Sequence, residues 1–451
     1  MSAGERWLSG WGRQPRTVGS VSEPTTLAVA RELIAPGHGG SLIPRGLGRA
    51  YGDSACNDHG RVVVCERLDR FRSFDPRTGL LEAEAGTSLD AIIRTFLPRG
   101  WFLPTTPGTR QVTLGGAVAA DVHGKNHHHR GSFGGFVDVI ELCLADGSVV
   151  RCSRDQHPDL FFATLGGMGL TGLILAVTFR LVPVPSAWVN VDYRRTRDLE
   201  HTLATFAEHD ARYEHSVAWI DCMARGPRLG RSIAMHGSEA AASDLPVPRR
   251  GRPWDLPVRR AHTFPFTPPC SLLSPTTVRI FNELFYHSHG SGRRVVDIHS
   301  YFYPLDGIHH WNRMYGPSGF IQYQAFFPRE SSHAGLRRLL GEIVRSGAAS
   351  FLAVLKSCGP ADGALLSYLE PGHTLALDIP YARGTIDDLC RRLDRILLDH
   401  GGRLYLAKDA MMGPTTFRAM YPRLPEFLTV KRRYDPNHLF SSSQSRRLGI
   451  E

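Results

Sequence analysis

Long uninterrupted apolar runs are absent from this sequence of 451 residues. The longest candidate, residues 170–184, is broken by Thr, Gly and Arg. It is shorter than the roughly 18 apolar residues that a membrane-spanning helix needs. The first residues lead directly into charged and glycine-rich sequence, without the apolar core of a signal peptide. We therefore expect no signal peptide, no transmembrane segment and a cytoplasmic location.

Two common cysteine and glycine motifs are also missing or misplaced. The eight cysteines are scattered with no C-x-x-C pair, which excludes a zinc ribbon and a dithiol redox motif and favours reduced, buried thiols. Residues 167–172 spell G-x-G-x-x-G, but an apolar, strand-like run from Leu173 follows where a Rossmann site needs a helix. No Walker lysine follows either. A Rossmann NAD site and a P-loop are therefore not expected.

Acidic residues are in the minority, with 43 Asp and Glu against 53 Lys and Arg, so the net charge is +10. Much of the excess lies within residues 225–260, which show little helical or strand periodicity. This segment is predicted to be a long basic loop, either a solvated linker or a surface for a phosphate-bearing substrate or anionic lipid. Nucleic acid is not an expected partner, because aromatic RNA-binding signatures and recognition-helix patterns are lacking. The arginines of the loop are Arg225, Arg228, Arg231, Arg249, Arg250, Arg252, Arg259 and Arg260.

The periodicity of the chain predicts a two-domain α+β protein. Strands are predicted at residues 61–65, 80–85, 138–144, 148–152 and 173–181, with an Asp146-Gly147 hairpin and a helix capped by Ser88. This pattern covers a first domain, residues 1–187. The second domain, residues 188–400, adds two amphipathic helices, one starting near Ser332 and one over residues 385–400. A C-terminal segment, residues 401–451, begins with a strand over residues 403–407 and is expected to return to the first domain.

Two glycine-rich segments attract attention as ligand sites. Residues 44–53 place three glycines among two arginines, a composition typical of a backbone nest around a pyrophosphate. Residues 107–117 form a second glycine-rich turn, followed by the sequence His-Gly-Lys-Asn-His at residues 123–127. Taken singly, each segment is compatible with an ordinary turn.

Taken together and in this order, these motifs resemble the PCMH-type FAD domain of the vanillyl-alcohol-oxidase class. Within that class, the chain resembles the family of decaprenylphosphoryl-β-D-ribose oxidases. The resemblance extends over residues 8–13, 45–53, 107–128, 311–317, 322–324 and 402–409. It implies an antiparallel-sheet substrate domain and FAD-dependent oxidation of the ribose C2 hydroxyl of a polyprenylphosphoryl-β-D-ribofuranose to the 2-keto intermediate. That step is the first half of an epimerisation to the arabinose donor for cell-wall polysaccharide.

The same resemblance implies an NAD(P)H-dependent short-chain reductase as partner and a position peripheral to the inner membrane, for which the basic loop is suited. The alternative is a soluble FAD-dependent polyol, aldonolactone or glycoside oxidase of the same fold.

The resemblance also implies individual roles. The catalytic residues would be Lys408 and His123. FAD binding is assigned to Arg45, Gly46, Leu47, Gly48, Arg49, Tyr51, Gly52, Pro107, Gly108, Thr109, Val112, Gly115, Gly116, Ala120, His123, Leu173 and Tyr405. Substrate binding is assigned to Tyr51, Lys125, Trp219, Tyr315, Gln322, Gln324, Lys356, Asp378 and Lys408.

Elementary chemistry supports some of these assignments. Lys408 is the best candidate for the positive charge that is needed as negative charge grows on the flavin. Gln322 and Gln324 alternate on a predicted strand, so both amides face one side and can bind sugar hydroxyls. Lys356 ends an apolar run and needs an anionic partner, either a substrate phosphate or Asp378. The group that takes the hydroxyl proton stays open between Lys408, Asp378 and a bound water.

The histidines around His123 do not predict a metal site, because the carboxylate or cysteine partners of a closed site are missing nearby. Two positions depart from the family pattern. Related sugar-alcohol oxidases often attach FAD to a loop histidine, but Ala50 stands in this loop, so FAD is expected to be noncovalent. Ala376 replaces the cysteine to which nitroaromatic inhibitors of the mycobacterial enzyme become attached; the change is expected to spare oxidation and remove that trapping.

Overall fold

The computed structural model describes residues 4–35, 39–257 and 261–451. Arg259 and Arg260 of the predicted basic loop lie outside these residues. The strands are β1 (Gly4–Ser9), β2 (Arg16–Ser22), β3 (Leu42–Arg45), β4 (Arg61–Val64), β5 (Phe71–Asp75), β6 (Leu80–Glu84), β7 (Trp101–Phe102), β8 (Val137–Cys143), β9 (Val149–Ser153), β10 (Leu173–Arg180), β11 (Val182–Pro183), β12 (Trp188–Thr196), β13 (His215–Ile220), β14 (Ser232–Glu239), β15 (His262–Thr263), β16 (Gly292–Asp297), β17 (Ile308–His309), β18 (Phe320–Pro328), β19 (Ala353–Cys358), β20 (Gly372–Pro380) and β21 (Arg403–Leu404).

Helices connect and cover these strands. They are α1 (Leu27–Glu32), α2 (Leu89–Phe96), α3 (Leu114–Ala119), α4 (His127–Arg130), α5 (Pro158–Thr164), α6 (Leu199–His209), α7 (Pro275–Ser288), α8 (Ile298–Phe302), α9 (Arg329–Ser346), α10 (Thr385–Asp399), α11 (Pro414–Met420), α12 (Leu424–Tyr434) and α13 (Ser443–Leu448).

The larger sheets form the scaffold. A mixed sheet has the order β1-β2-β4-β3, and an antiparallel sheet has the order β5-β6-β10-β8-β9. The largest sheet is antiparallel throughout and has the order β16-β12-β14-β13-β19-β20-β18-β21. With helices set beside antiparallel strands, the architecture is α+β, as predicted.

Several local predictions are confirmed. The Ser88 hydroxyl caps α2 by accepting from the Ala91 amide, and the buried face of that helix carries Leu89, Ile92, Ile93 and Phe96. The Asp146-Gly147 turn joins β8 to β9, with Gly147 at φ 82°. Leu173 begins β10 directly after the G-x-G-x-x-G segment, so no helix opens there to receive a dinucleotide.

The prediction of one long basic loop is wrong over residues 232–239. These residues form β14, which lies between β12 and β13 inside the largest sheet. Ile233 and Met235 alternate with Ala234 and His236, but the arginines and glycines around this short run hide its period of two. Arg231 is buried and pairs with Asp221 and Glu283, so it adds nothing to a surface charge.

Two boundaries near the C-terminal half also differ from prediction. Helix α9 begins at Arg329, three residues before Ser332. The strand predicted over residues 403–407 ends at Leu404, because the chain turns so that the Lys408 amide donates to the Tyr405 carbonyl at 2.9 Å. This turn brings the Lys408 side chain into the cavity described below.

The C-terminal helices pack against the start of the chain. The Leu42 amide donates to the Leu439 carbonyl at 2.6 Å, and Arg447 pairs with both Asp53 and Asp409. All eight cysteines are free thiols, and all but Cys270 are buried. Among the described residues, no helix combines the length and apolar character required to cross a bilayer.

Candidate active site

A cavity of about 640 Å³ lies between the two glycine-rich segments and one face of the largest sheet. Side chains at alternate strand positions face it, since successive residues of a strand point to opposite sides. The strand residues of its wall are Tyr193, Val217, Trp219, Met235, Gln322, Gln324, Val354, Lys356, Thr374 and Ala376. The cavity therefore brings together segments that are hundreds of residues apart in sequence.

Nearly all residues assigned to FAD line this cavity. They are Arg45, Gly46, Leu47, Gly48, Arg49, Tyr51, Pro107, Gly108, Thr109, Val112, Gly115, Gly116, Ala120, His123, Leu173 and Tyr405. Gly52 is the exception and lies behind the wall. A Cβ at Gly52 would stand 1.9 Å from the Asp409 carbonyl oxygen, so this glycine is required for packing.

Two of the residues assigned to substrate do not reach the cavity. Tyr315 is buried and stacks on Phe320, with the ring centroids 4.0 Å apart. Asp378 is fully buried on β20 opposite Gln322, whose amide nitrogen donates to its carboxylate. The assignment of both residues to the substrate stays a prediction. The assigned residues that do line the cavity are Tyr51, Lys125, Trp219, Gln322, Gln324, Lys356 and Lys408.

Three of the chain's four lysines meet in this cavity. Burial, with the nearby charge of Lys356, lowers the pKa of Lys125 to about 7. Burial also lowers the pKa of Lys356 to about 8. Amines that lose hydration in this way favour an anionic ligand, which restores their charge. The part of the cavity around Lys125 and Lys356 is therefore suited to a phosphate.

Lys408 lies beside the aromatic ring of Tyr51, with its Nζ 3.7 Å from the ring centroid. The Tyr51 amide donates to the Ala407 carbonyl at 2.9 Å, which ties the glycine-rich loop to the Lys408 turn. Burial lowers the pKa of Lys408; the Asp378 carboxyl opposes this shift and the Lys356 ammonium adds to it. Burial raises the pKa of Asp378, against the Gln322 hydrogen bond and the Lys408 charge. Asp378 lies directly opposite Gln322 and on the same face of the sheet, and its charge influences that of Lys408.

His123 is held by a buried hydrogen-bond network. Its Nε2 accepts from the Gln324 amide nitrogen at 3.0 Å and from the Tyr368 hydroxyl at 2.9 Å. Because an amide nitrogen only donates, Nε2 carries no proton and the neutral ring is protonated at Nδ1. Burial lowers the pKa of His123 well below its usual range, and Lys356, His127 and Lys408 add to the effect. Sequence reasoning missed Tyr368, which belongs to no motif.

The neighbouring histidines have partners of their own. His127 Nδ1 accepts from the Gly359 amide, while the Nε2 atoms of His128 and His129 bond to backbone carbonyls. Within the described ranges, no group of three or more His, Cys, Asp or Glu side chains is arranged to hold a metal ion.

Glycine is required in this loop by the side chains packed against it. A Cβ at Gly46 would stand 2.2 Å from the Thr113 hydroxyl, and Gly48 has φ +63°. Arg45 supports the loop from beneath by donating to the carbonyls of Ser9 and Ala55. The Arg49 guanidinium lies over the Trp11 ring, 4.2 Å from the ring centroid.

Aromatic side chains also line the cavity. Trp219 is fixed by its Nε1, which donates to the Phe351 carbonyl at 3.0 Å, and it packs on Phe285 with ring centroids 4.6 Å apart. Phe281 and Phe285, one turn apart on α7, also line the cavity. Sequence reasoning missed this helix, although the spacing of its two phenylalanines is a helical signal.

Comparison with known proteins agrees with this geometry. Residues 21–153 match the FAD binding domain family, and residues 321–448 match the D-arabinono-1,4-lactone oxidase family. The decaprenylphosphoryl-beta-D-ribose oxidase of Mycolicibacterium smegmatis is 40% identical over 449 residues, which cover 98% of this chain and 97% of that protein. The chain belongs to the decaprenylphosphoryl-β-D-ribose oxidase family.

Membership of this family makes the chain an FAD-dependent oxidoreductase that acts on a CH–OH group, with the two-domain vanillyl-alcohol-oxidase-type fold. An uncharacterized protein of Streptomyces coelicolor is 32% identical over 80% of this chain and all of its own length. A putative D-arabinono-1,4-lactone oxidase of Neurospora crassa is 32% identical over 39% of this chain and 30% of its own.

The residues present fit FAD. Glycines of both segments line the cavity at positions 46, 48, 108, 115 and 116, where the backbone can approach a pyrophosphate, and Arg45 and Arg49 lie in the same loop. His123 also lines the cavity, and its Nδ1 has no hydrogen-bond partner among the described residues.

Proposed function

We propose that this chain oxidises the C2 hydroxyl of a polyprenylphosphoryl-β-D-ribofuranose to the 2-keto sugar. The observation that carries the proposal is the polarity of the cavity. Three lysines with lowered pKa values line the same cavity as the aromatic side chains of Trp219, Phe281 and Phe285. A sugar phosphate with an apolar tail has the complementary distribution of charge.

Bound FAD supplies the hydride acceptor for this reaction. The loop from Arg45 to Tyr51 and the turn from Pro107 to Gly116 would hold its pyrophosphate, and His123 and Tyr405 would flank its ring. Residues 45–53 contain neither histidine nor cysteine, which supports noncovalent binding.

Lys125 and Lys356 bind the substrate phosphate in this proposal, because a phosphate offsets the cost of burying their charges. Lys125 is oriented by its hydrogen bond to the Tyr301 carbonyl and by the Tyr301 ring, 3.8 Å away. The rings of Trp219, Phe281 and Phe285 exclude water around the tail. The sugar is thereby placed between the lysines and the glycine-rich wall.

Lys408 acts on the reacting hydroxyl. With its pKa lowered by burial, its amine is available to take the hydroxyl proton as the C2–H electron pair departs and the carbonyl forms. The resulting ammonium then stabilises the negative charge that has moved to the cofactor side. Gln322 donates its amide N–H to Asp378, so its carbonyl oxygen is the part left to accept from a sugar hydroxyl.

The 2-keto product needs a reducing partner to become the arabinose epimer used for cell-wall polysaccharide. An NAD(P)H-dependent short-chain reductase fits that role. A lipid-linked substrate also requires that the protein work at a membrane surface.

Anaerobic bleaching of the flavin tests the proposal. The purified protein is denatured to show that FAD is released, and the native protein is mixed with a polyprenylphosphoryl ribose analogue or with free polyols and aldonolactones. Rapid bleaching by the lipid-linked ribose alone is the expected result. The match of residues 321–448 to lactone oxidases favours aldonolactone oxidation as the second candidate. Bleaching by lactones or polyols and not by the ribose analogue would establish that candidate instead.

A further inference from the structure

Helix α7 presents apolar side chains to solvent. Ile280, Phe281 and Leu284 are 57%, 41% and 67% exposed, and we call these three residues the α7 stripe. The helix is anchored from its other side by buried Val278 and by Asn282, whose amide donates to Asp221. Contiguous exposed apolar side chains of this kind mark an interaction surface.

The α7 stripe is continuous with the cavity. Phe281 belongs to both, since it is partly exposed and also lines the cavity. Its ring stacks on Phe285 at 5.6 Å, and Phe285 packs on Trp219 at 4.6 Å. A chain of aromatic contacts therefore connects the outer surface of α7 with the interior of the cavity. The aromatic part of the cavity wall reaches solvent at this helix.

Three exposed arginines lie on α7 and on the strand that follows it. Arg279 lies on α7, and Arg293 and Arg294 lie on β16, the edge strand that follows the helix. All three are exposed, and none has a carboxylate partner among the residues described. Arg294 stands over the ring of Tyr193, which lines the cavity, so its charge is at the cavity edge. Apolar side chains and free arginines together fit an anionic lipid surface.

We propose that the α7 stripe docks on an anionic phospholipid bilayer and opens the cavity directly into the lipid. The inference rests on the proposed function, because a polyprenyl chain is held in the membrane. The sugar phosphate then enters between Phe281 and Trp219 while the distal part of the tail stays in the bilayer. This places the membrane contact on α7 and not on the basic loop predicted from sequence, part of which is β14 inside the sheet.

Flotation of the FAD-loaded protein with vesicles tests the docking. Vesicles of phosphatidylglycerol and phosphatidylethanolamine are compared with vesicles of phosphatidylcholine. The double variant Ile280→Gln, Leu284→Gln removes the exposed apolar side chains outside the cavity, and Leu398→Gln on α10, also an exposed leucine, is the matched control. We expect the double variant to bind anionic vesicles at least tenfold more weakly than the wild-type protein, and the control to bind unchanged.

A second pair of measurements separates docking from chemistry. A short-chain, water-soluble polyprenylphosphoryl ribose should bleach the wild-type and double-variant flavins at equal rates, while a long-chain substrate in anionic vesicles should bleach only the wild-type flavin rapidly. Failure of the short-chain compound to bleach either protein, with stripe-dependent vesicle binding retained, would reject the proposed function and leave the docking standing.

Wild-type protein that ignores anionic vesicles, or a double variant that floats as well as the wild-type protein, would overturn the docking. A dimer that forms without vesicles and is lost in the double variant, with no vesicle binding, would overturn it too and assign the stripe to a second copy of the chain.

Discussion

The side-chain amide of Gln324 donates to Nε2 of His123 across 3.0 Å, joining the central part of β18 to the segment that follows α3. The Tyr368 hydroxyl accepts from the same amide at 2.6 Å and lies 2.9 Å from the same Nε2. Two donors on one nitrogen leave His123 a single neutral form, with its proton at Nδ1. The sheet thus sets the protonation of a residue in the cavity wall.

The variant Gln324→Glu should move the proton of His123 from Nδ1 to Nε2. A carboxylate beside Nε2 cannot donate; it draws the proton to Nε2 and raises the pKa of His123. We expect the loss of the hydrogen bond from the Gln324 amide to Nε2 to cost about 1–3 kcal/mol. This corresponds to roughly 5- to 150-fold slower flavin reduction. ¹⁵N NMR of histidine-labelled protein reports which nitrogen is protonated, with the His123 signal assigned by its absence in His123→Asn. Tyr368→Phe keeps the amide donor and should keep the proton at Nδ1; a wild-type signal protonated at Nε2 would contradict the assignment.

Gly48→Val should give colourless protein. Gly48 has φ +63°, where a β-branched residue is strained, and a Cβ there would stand 2.4 Å from Nη2 of Arg45. Moving that nitrogen aside would break its hydrogen bond to the Ser9 carbonyl, which adds to the backbone strain. The flavin absorbance per mole of purified protein measures the effect. Gly341→Ala on α9, where a Cβ meets nothing within 4 Å, is the control and should retain full flavin content.

The family resemblance carried by the glycine motifs was sufficient to predict many residues that line the cavity, and their assignment to FAD stays a prediction. The alternation of Gln322 and Gln324 similarly predicted that both face one side. Tyr368 could not be found in this way. It reaches His123 from 245 residues away, and only the packing of distant segments creates the contact.

Asp378 and β14 show the same limit. The register places Asp378 directly opposite Gln322, on the face of the sheet that carries Thr374 and Ala376, and only the packing of distant segments covers it. The eight residues of β14 alternate correctly, but their flanking arginines favoured a loop. Local pattern does not reveal that a short strand will be paired on both sides.

Lys408→Met should abolish turnover and leave FAD bound. The variant keeps a side chain of similar length beside Tyr51 and removes the amine that takes the proton. We expect a loss of about 10²- to 10⁴-fold in the rate of flavin reduction, the usual contribution of a positioned acid–base group. Stopped-flow absorbance measures the rate, and the flavin spectrum verifies occupancy. Activity within a factor of two of wild type would remove Lys408 from the mechanism.

The rate of flavin reduction should rise with pH. The neutral amine is the reactive form of Lys408, and burial lowers its pKa, so the amine forms below the usual lysine value of about 10.4. The rising limb should therefore lie well under that value. Substrate binding should weaken as the pH rises, because Lys356 loses its proton near its pKa of about 8. Single-turnover rates and KM measured from pH 5 to 10 separate the effect on the rate from the effect on substrate binding. A rate that falls across this range would show that Lys408 acts only as a fixed cation.

Lys431→Met should destabilise the protein strongly although it lies outside the cavity. Lys431 and Asp435 form an ion pair at 2.8 Å with side chains 1% and 0% exposed, and Lys431 also donates to the Leu170 and Phe440 carbonyls. Removing the amine leaves a buried carboxylate unpaired, which costs about 3–5 kcal/mol. Urea unfolding followed by tryptophan fluorescence measures the loss. Adding Asp435→Asn to this variant should recover part of it, since it removes the buried charge, while its single amide oxygen can keep one of the two bonds from the Leu439 and Phe440 amides. Arg433→Ala breaks an exposed pair with Asp159 and should cost no more than about 1 kcal/mol. Equal losses in Lys431→Met and Arg433→Ala would mean that water reaches the Asp435 carboxylate, and that this pair does not hold the C-terminal helices against Leu170.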